Sequence, residues 1–268
     1  MTAPATTANT IAPPLLRDDT DGIATLTLNR PGNYNALSEE LLAALQATLE
    51  EIENDNSVRV VVIAGNGPAF CAGHDLKQMR ANPRQDYYDN LFATCSRFMM
   101  TATRIPQPVI ARVHGLATAA GCQLVATCDL AVAAESAKFA TSGITYGLFC
   151  STPSVALSRN VPRKQAAEML FTGEFIDAVT AQQFGLVNRV VPLDKLDEEI
   201  NAMTASIIRK SAVAVSTGKR MFYKQIEMGM ADAYDYAAGV MACNMMAADA
   251  GEGIDAFIQK RKPKWKHR

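Results

Sequence analysis

The sequence lacks the features that assign a chain to several common functional classes. Its 268 residues carry a net charge of −1, so the body of the chain has no general attraction for nucleic acid or for an anionic membrane. No apolar run reaches the roughly 18 residues that a membrane span needs. The six cysteines include no CxxC pair and no metal-ligand spacing. We therefore expect no metal, no nucleic acid and no membrane among its ligands.

Most of the cysteines instead lie among apolar neighbours, which is typical of buried free thiols in a reducing compartment. The first residues, MTAPATTANTIAPP, contain neither the apolar core nor the basic region of a signal peptide. From these two observations we expect a cytoplasmic protein with a disordered N-terminal tail over residues 1–14.

Three common site motifs are also missing. The absence of GxGxxG and GxxxxGK[ST] argues against a dinucleotide or nucleotide site, and the absence of GxSxG argues against a serine hydrolase. Two stretches of small residues, LATAAGCQL (116–124) and FATSGITYGLFCSTPSVAL (139–157), nevertheless look like parts of an active site. Neither contains a carboxylate, so the usual acid and base are missing from them.

The segments that are present predict an α/β core followed by helices. LLRDDTDGIATLTLNR (15–30) alternates around an Asp-Gly turn and predicts a β-hairpin, and Ser38 is placed to cap a helix that runs to Glu53. Apolar runs predict buried strands at 59–65, 108–115 and 129–134. Helices are predicted at 84–104, 193–210, 211–228, 231–248 and 252–262.

We therefore divide the chain into the tail, a core over 15–192 and a helical region over 193–268. The Met/Ala-rich segment 237–250 is too apolar for a lone solvent-facing helix. Burial in the core and contact with another subunit explain this composition equally well.

Two loops follow predicted strands and carry small residues, at 66–76 and 114–124. Small residues allow a ligand to approach the main chain, and a helix N-terminus offers N–H groups without partners. Two such groups that converge would form an oxyanion hole. Tight packing of helix against sheet explains the same composition, and composition alone favours it.

The motifs of these loops resemble one family. FCAGHDLKQM (70–79) is similar to the FxAGxDLxxM loop of the crotonase (enoyl-CoA hydratase/isomerase) superfamily, and HGLATAAGCQLVATCDLAVAAESAKF (114–139) resembles its NGxxxGGGxELALxCDxxxAxxxAxF signature. LFTGEFIDAVTAQQFGLVNRVVP and FIQKRKPKW match later segments. The resemblance implies a ClpP-like spiral of repeated ββα units with a C-terminal helical trimerisation region, and a homotrimer or homohexamer.

The resemblance also assigns residues to the reacting end of the site. The two oxyanion-hole amides fall on His74 and Ala120, and the positions of the two catalytic glutamates of the family are occupied by Gln123 and Gly143. Tyr146 is close in sequence to the second position and is a candidate substitute acid, although a wall of the acyl pocket is the favoured role. A ring base at His74 is the minority interpretation, because the loop could point that ring to solvent.

The basic segment KRKPKWKHR, which starts at Lys260, holds six of the 26 Lys and Arg residues. A solvated tail is the default interpretation of such a run, and nucleic-acid binding is poorly supported. The resemblance instead implies that Lys260 and Lys77 contact the phosphates of CoA, with Phe257 near the adenine. It also implies that Asn33 and Tyr34 lie along the CoA moiety through their backbone.

The functional expectation is a protein that binds acyl- or enoyl-CoA thioesters, with CoA as part of the substrate and no tightly bound cofactor. An enolate-stabilising hydratase- or isomerase-family enzyme is the first hypothesis. A glutamine cannot exchange protons at neutral pH and a glycine has no side chain, so the usual two-glutamate hydration is not supported. The alternative is an inactive acyl-CoA-binding or regulatory protein.

Overall fold

The computed structural model describes residues 12–267, so most of the predicted tail over 1–14 lies outside the described residues. The strands are β1 (Leu15–Thr20), β2 (Ile23–Leu28), β3 (Val60–Gly65), β4 (Ala69–Cys71), β5 (Val109–Val113), β6 (Leu116–Thr118), β7 (Leu130–Ala134), β8 (Lys138–Ala140), β9 (Ile176–Asp177) and β10 (Arg189–Val191). The helices are α1 (Glu39–Glu53), α2 (Leu76–Ala81), α3 (Gln85–Arg104), α4 (Ala120–Thr127), α5 (Ser151–Asn160), α6 (Arg163–Thr172), α7 (Ala178–Gln183), α8 (Leu196–Ile208), α9 (Ala212–Gln225), α10 (Met230–Met245) and α11 (Ala248–Ile258).

The strands form two sheets, and the chain moves between the sheets in a repeated order. The first sheet has the order β1-β2-β3-β5-β7-β10 and the second has the order β4-β6-β8-β9. Each pair of consecutive strands, β3 and β4, β5 and β6, β7 and β8, gives one strand to each sheet before the next helix begins. This is the predicted spiral of ββα units, which is confirmed. The strands predicted at 59–65, 108–115 and 129–134 are β3, β5 and β7.

Local sequence explains the first elements. Asp21 and Gly22 both have positive φ (52° and 80°), which is the backbone of a two-residue turn that matches the twist of a hairpin. The Ser38 hydroxyl accepts a hydrogen bond from the Leu41 amide and caps α1. The buried face of α1, which includes Leu45 and Leu49, packs in the core with α3. The predicted hairpin and cap are therefore confirmed.

The C-terminal helices follow the prediction with shifted ends, and the basic segment after them is docked. The Trp265 indole donates a hydrogen bond to the Arg209 carbonyl oxygen at 2.8 Å, and the Lys266 amide donates to the Asp249 carboxylate at 2.6 Å. Arg261 forms an ion pair with Glu252. The interpretation of a solvated tail is therefore wrong for the backbone of this segment, because buried or paired carboxylates of α11 hold it.

Among the described residues, no helix is long and apolar enough to cross a membrane. In the same part of the chain, no cluster of three or more His, Cys, Asp or Glu side chains has the arrangement of a metal site.

The start of α4 packs unusually closely against the second sheet. A Cβ placed on Gly121 would lie 2.0 Å from the carbonyl oxygen of Cys71, the last residue of β4. No side chain fits at that distance, so glycine at this position allows the helix to reach the strand. The contact brings the loop after β4 to the N-terminus of α4.

We predict that Gly121→Ala destabilises the fold by about 3 kcal/mol, because a methyl group would push α4 away from a fixed backbone oxygen. The measurement is urea unfolding followed by circular dichroism. Gly251→Ala is the matched control: it places the same methyl group inside α11 with nothing within 4 Å, and we expect it to stabilise by about 0.5–1 kcal/mol. Equal effects of the two substitutions would contradict the packing argument.

Candidate active site

The loop after β4 and the first turn of α4 meet at Gly73. A Cβ on Gly73 would lie 3.2 Å from the Ala120 amide nitrogen and 2.9 Å from the Ala119 Cβ. Gly73 also has φ +91°, a conformation that side chains rarely adopt. The residue after Gly73 is His74, so the His74 and Ala120 amides, which the sequence assigns to an oxyanion hole, come from two segments in direct contact.

Neither amide has an acceptor among the described residues. The Leu37 amide donates to the Gly73 carbonyl oxygen at 2.7 Å and the Asp75 amide donates to the Leu37 carbonyl oxygen at 3.2 Å. This parallel bridge uses the groups on either side of His74, so the His74 N–H points to the opposite side of the loop. Ala120 is the first residue of α4, where an N–H has no partner within the helix.

Ala119 turns the chain into α4 with a strained backbone. Its φ of 50° and ψ of −120° are unusual for a residue with a side chain, and its own amide donates to the Ala140 carbonyl oxygen at 3.0 Å. Strain of this kind persists only where surrounding contacts impose it, and it is concentrated at functional sites. It fixes the direction in which the Ala120 N–H leaves the helix.

The loop that carries His74 is held by Asp75 and Arg30. Burial raises the pKa of Asp75, but hydrogen bonds from Arg30 and from the Gln78 and Lys77 amides outweigh it, so the pKa is lowered overall. The Arg30 guanidinium lies 3.0 Å from the carboxylate and also donates to the Ala36 carbonyl oxygen. Asp75 therefore fixes the loop and does not face a substrate as a free carboxylate.

The two positions that the resemblance assigns to the family glutamates differ in their surroundings. Gln123 is 5% exposed, and its Oε1 has no hydrogen-bond partner among the described residues. Gly143 lies in a short 3-10 turn, and a Cβ there would be 2.7 Å from the Leu148 carbonyl oxygen and 2.8 Å from the Cys150 Sγ. The second position therefore lacks a carboxylate and also lacks the space for one.

The His74 ring does not point to solvent. It packs edge-on against Phe92 of α3 with 5.4 Å between ring centroids, and its Nε2 is buried without a partner among the described residues. Burial lowers the pKa of His74 to about 4, so the ring is neutral at physiological pH. The expectation of a solvent-facing ring is wrong, because α3 covers the loop.

Comparison with known proteins shows the family of the chain. The sequence model of the family described as Enoyl-CoA hydratase/isomerase matches residues 18–268. The chain belongs to the crotonase superfamily. It is 47% identical to enoyl-CoA hydratase domain-containing protein 3, mitochondrial, of Rattus norvegicus, over 92% of this chain and 82% of the rat protein.

Two solved crotonase structures are closely similar. An enoyl-CoA hydratase of Mycobacterium smegmatis is 59% identical with a TM-score of 0.93, and the match covers 94% of this chain and 99% of that one. The human enoyl Coenzyme A hydratase domain-containing protein 3 is 47% identical with a TM-score of 0.92, and the match covers 94% of this chain and 100% of that one.

Other residues near the crotonase motifs have structural roles or lie at the surface. Tyr146 is 70% exposed and its hydroxyl has no hydrogen-bond partner among the described residues, so no contact in the structure orients it as an acid. Burial raises the pKa of Cys122 to about 12 and raises that of Cys150, which leaves both as protonated thiols. His114 donates from Nε2 to the Gly67 carbonyl oxygen at 2.8 Å.

The residues assigned to CoA lie mostly at the surface. Lys77, Phe257 and Lys260 are exposed. Asn33 and Tyr34 differ from the expectation, because both of their amides already donate within the turn, to Arg30 and to Pro31. Their carbonyl oxygens also accept hydrogen bonds, from the Ala36 and Ala72 amides. Each carbonyl oxygen keeps one free lone pair, so the backbone of Asn33 and Tyr34 can still accept a hydrogen bond from a ligand but cannot donate one.

The sequence analysis missed the residues that hold this turn in place. Asn35 is fully buried, accepts a hydrogen bond from the Arg30 amide and donates to the Asn66 and Ala69 carbonyl oxygens at 2.8 Å each. Arg30 and Asn35 both lie in the segment RPGNYNAL. The asparagines, proline and glycine of this segment are typical of a turn and could have pointed to a polar side chain that holds it. The role of Ala119 had no signal in the sequence, because alanine does not indicate positive φ.

We predict that the neutral His74 ring makes the fold sensitive to acid. The pKa of His74 is about 4 in the folded chain and about 6.5 in an unfolded one. Below pH 6.5 the unfolded chain therefore binds a proton that the folded chain does not, and the free energy of unfolding falls as the pH falls towards 4. Between pH 7.5 and 4.5 the loss is about 2 to 3 kcal/mol. The measurement is urea unfolding of the wild type and of His74→Phe at both values.

Because other groups titrate in the same range, the difference between the two proteins isolates His74. The stability of His74→Phe should fall less over this range than that of the wild type. Parallel losses in both proteins would show that the ring is not protected from protonation.

Proposed function

We propose that the protein binds acyl- or enoyl-CoA thioesters and holds the thioester oxygen between the His74 and Ala120 amides. The observation that carries the proposal is that both N–H groups lack acceptors where two chain segments touch at Gly73. Two main-chain donors aimed at one point stabilise the negative charge of an enolate, each by about 3–4 kcal/mol. Lys77, Lys260 and Phe257 are exposed and available to the nucleotide end of CoA.

The chemistry of this site differs from the usual hydration. Activation of water and protonation of carbon each contribute about 10²–10⁴-fold to the rate when a carboxylate performs them. Gln123 can orient a water molecule but cannot take its proton, and Leu148 and Cys150 close the space at Gly143. We therefore infer enolate stabilisation without efficient two-glutamate hydration or isomerisation.

A second candidate is binding of acyl-CoA without turnover, as a sequestering or regulatory protein. The same two positions, Gln123 and Gly143, favour it, because binding needs the amide pair and needs no proton transfer. Incubation with a panel of enoyl-CoAs, followed by loss of the conjugated chromophore, separates the two candidates. Turnover well above the buffer rate would support the enzyme.

We predict that the thioester carbonyl itself contributes to binding. Acetyl-CoA should bind about tenfold more tightly than S-ethyl-CoA, which has no carbonyl oxygen. Two hydrogen bonds of about 1 kcal/mol each contribute about 2 kcal/mol, and a tenfold difference in affinity needs only about 1.4 kcal/mol. The measurement is isothermal titration calorimetry on the full chain, with free CoA as the baseline. Equal affinities of the two compounds would mean that the amide pair does not hold the oxygen.

We also propose that the protein forms a homotrimer or a homohexamer. The α10 residues Met230, Tyr234, Met241 and Met245 are exposed, and their spacing places them on one face of the helix. No residue of α10 is buried in the isolated chain, so core burial does not explain this composition. An apolar stripe of this length favours a contact with another subunit.

We predict that Met241→Glu lowers the mass in solution from three or six copies of the 28.9 kDa chain to one copy, because a buried charge without a partner opposes association. Size-exclusion chromatography with light scattering measures this. Asp235→Asn, at an exposed position outside the stripe, is the control and should keep the assembly. A wild-type monomer would contradict the proposal at once.

The cytoplasm is our proposed location. All six cysteines are free, and five of them are buried, which fits a reducing compartment.

A further inference from the structure

The first sheet carries a groove beside α8, on the face that is turned away from the main core. Every second side chain of β2 is fully buried in that core, and the residues between them lie on the other face: Ile23, Thr25 and Thr27. On this outer face α8 packs over β3, β5 and β7. Between α8 and β2 the structure leaves an open cavity of about 790 Å³, a volume typical of small-molecule sites.

The groove and the candidate active site lie on opposite faces of this sheet. Cys71 and Ala120, which bring the two active-site segments together, pack in the main core with inner-face residues such as Val61. The groove is lined instead by Val62 and Ala64, whose side chains alternate to the outer face. A ligand in the groove therefore does not reach the amide pair.

Arg112 lines this groove with most of its hydrogen-bond donors free. The sheet register pairs Thr27 with Ala64, and Arg112 of β5 follows in the same row on the outer face. The Arg112 Nε donates to the Asp197 Oδ1 at 2.5 Å, and neither terminal nitrogen has a partner among the described residues. The side chain is only 20% exposed. The two terminal nitrogens of a guanidinium form a fork that fits a carboxylate or a phosphate.

The acidic side chains near this guanidinium leave the fork available. Asp197 occupies only the Nε and is 74% exposed, so water and salt screen its charge. The next two acidic residues of α8, Glu198 and Glu199, are each paired with another cation. Asp21 and Arg209, which also line the groove, carry opposite charges and leave no net charge between them. The groove therefore favours one anionic group, at the guanidinium.

The middle of the groove suits a short apolar body. Its lining includes Val62 of β3 and Ala205 of α8, and the small side chain of Ala64 leaves room between β2 and Arg112. The hydroxyls of Thr25 and Thr27 line the same stretch and make no hydrogen bond among the described residues. Mostly apolar walls with a few polar groups that fix orientation are typical of small-molecule sites.

We propose that this groove is a second binding site, which takes a small organic anion with an apolar body, either a monocarboxylate or a phosphate monoester. The anionic oxygens accept hydrogen bonds from the two terminal nitrogens of Arg112. The hydrocarbon part lies on the outer face of β2 and β3 against α8. The site is independent of the thioester site, because the sheet separates the two.

The test is isothermal titration calorimetry on the full chain with hexanoate and with hexyl phosphate as probes. Acetyl-CoA is present throughout, so that the thioester site is occupied. The better of the two anions should bind about tenfold more tightly than hexanamide, which has no charge, and about tenfold more tightly than acetate, which has almost no apolar body. Which anion binds better distinguishes a carboxylate from a phosphate ligand. If neither anion binds better than hexanamide, the inference is wrong.

The loss of the guanidinium should remove the preference for an anion. Arg112→Gln should weaken binding of the better anion about tenfold, to the level of hexanamide. Arg189→Gln is the matched control and should keep the wild-type affinity, because Arg189 lies on β10 of the same sheet and also pairs with a carboxylate of α8, but does not line the groove. Equal losses in the two variants would mean that both act through the position of α8, and would overturn the inference.

Asn201→Asp provides a readout with little risk to the fold. Asn201 is exposed and lines the groove one helical turn after Asp197, so the change adds a charge of the same size and shape on the groove wall. Repulsion should weaken binding of the better anion about threefold and leave hexanamide unchanged. An unchanged affinity for the anion would show that it binds elsewhere, and would contradict the assignment of the groove.

Discussion

The close contact between the Cys71 carbonyl oxygen and Gly121 is the constraint on which the site depends. It allows the first turn of α4 to lie against the end of β4, so that the loop carrying His74 contacts Ala119 and Ala120 through Gly73. The donors belong to the backbone, and the backbone positions are set by sheet pairing and by the absence of two side chains. A site of this kind is built by the fold itself and needs no polar side chain to exist.

A consequence is that the backbone amides and the side chains that would transfer protons can change independently. Gln123 carries a carboxamide where the resemblance places a carboxylate, and its side chain does not alter the backbone amides of His74 and Ala120, which depend on the course of the main chain. At Gly143 the Leu148 carbonyl oxygen and the Cys150 sulfur occupy the space that a side chain would need. The structure therefore leaves no room for a side chain at Gly143 and holds a buried carboxamide at Gln123.

The sequence predicted the parts of the fold that depend on local pattern. β3, β5 and β7 are continuous apolar runs, and all three were predicted as strands. The strands β4, β6, β8 and β9 have two or three residues each, too few for a periodic signal. The orientation of the His74 ring and the docking of Trp265 depend on α3 and on Arg209, which lie far away in sequence, so no local pattern could predict them.

Other buried polar groups in the described part of the chain fall into two kinds, those that the fold pairs and those that it leaves without a partner. Lys219 is buried, yet it lies 2.7 Å from the Asp129 carboxylate and also donates to two carbonyl oxygens, while the Tyr223 hydroxyl donates to the same carboxylate at 2.8 Å. The fold can therefore satisfy a buried charge completely where the role is structural. The Gln107 Oε1 and the Asn244 Oδ1, like the Gln123 Oε1, are buried without a partner among the described residues. A missing partner therefore does not by itself mark a binding site, and what distinguishes Gln123 is its place one helical turn after the Ala120 amide at the start of α4.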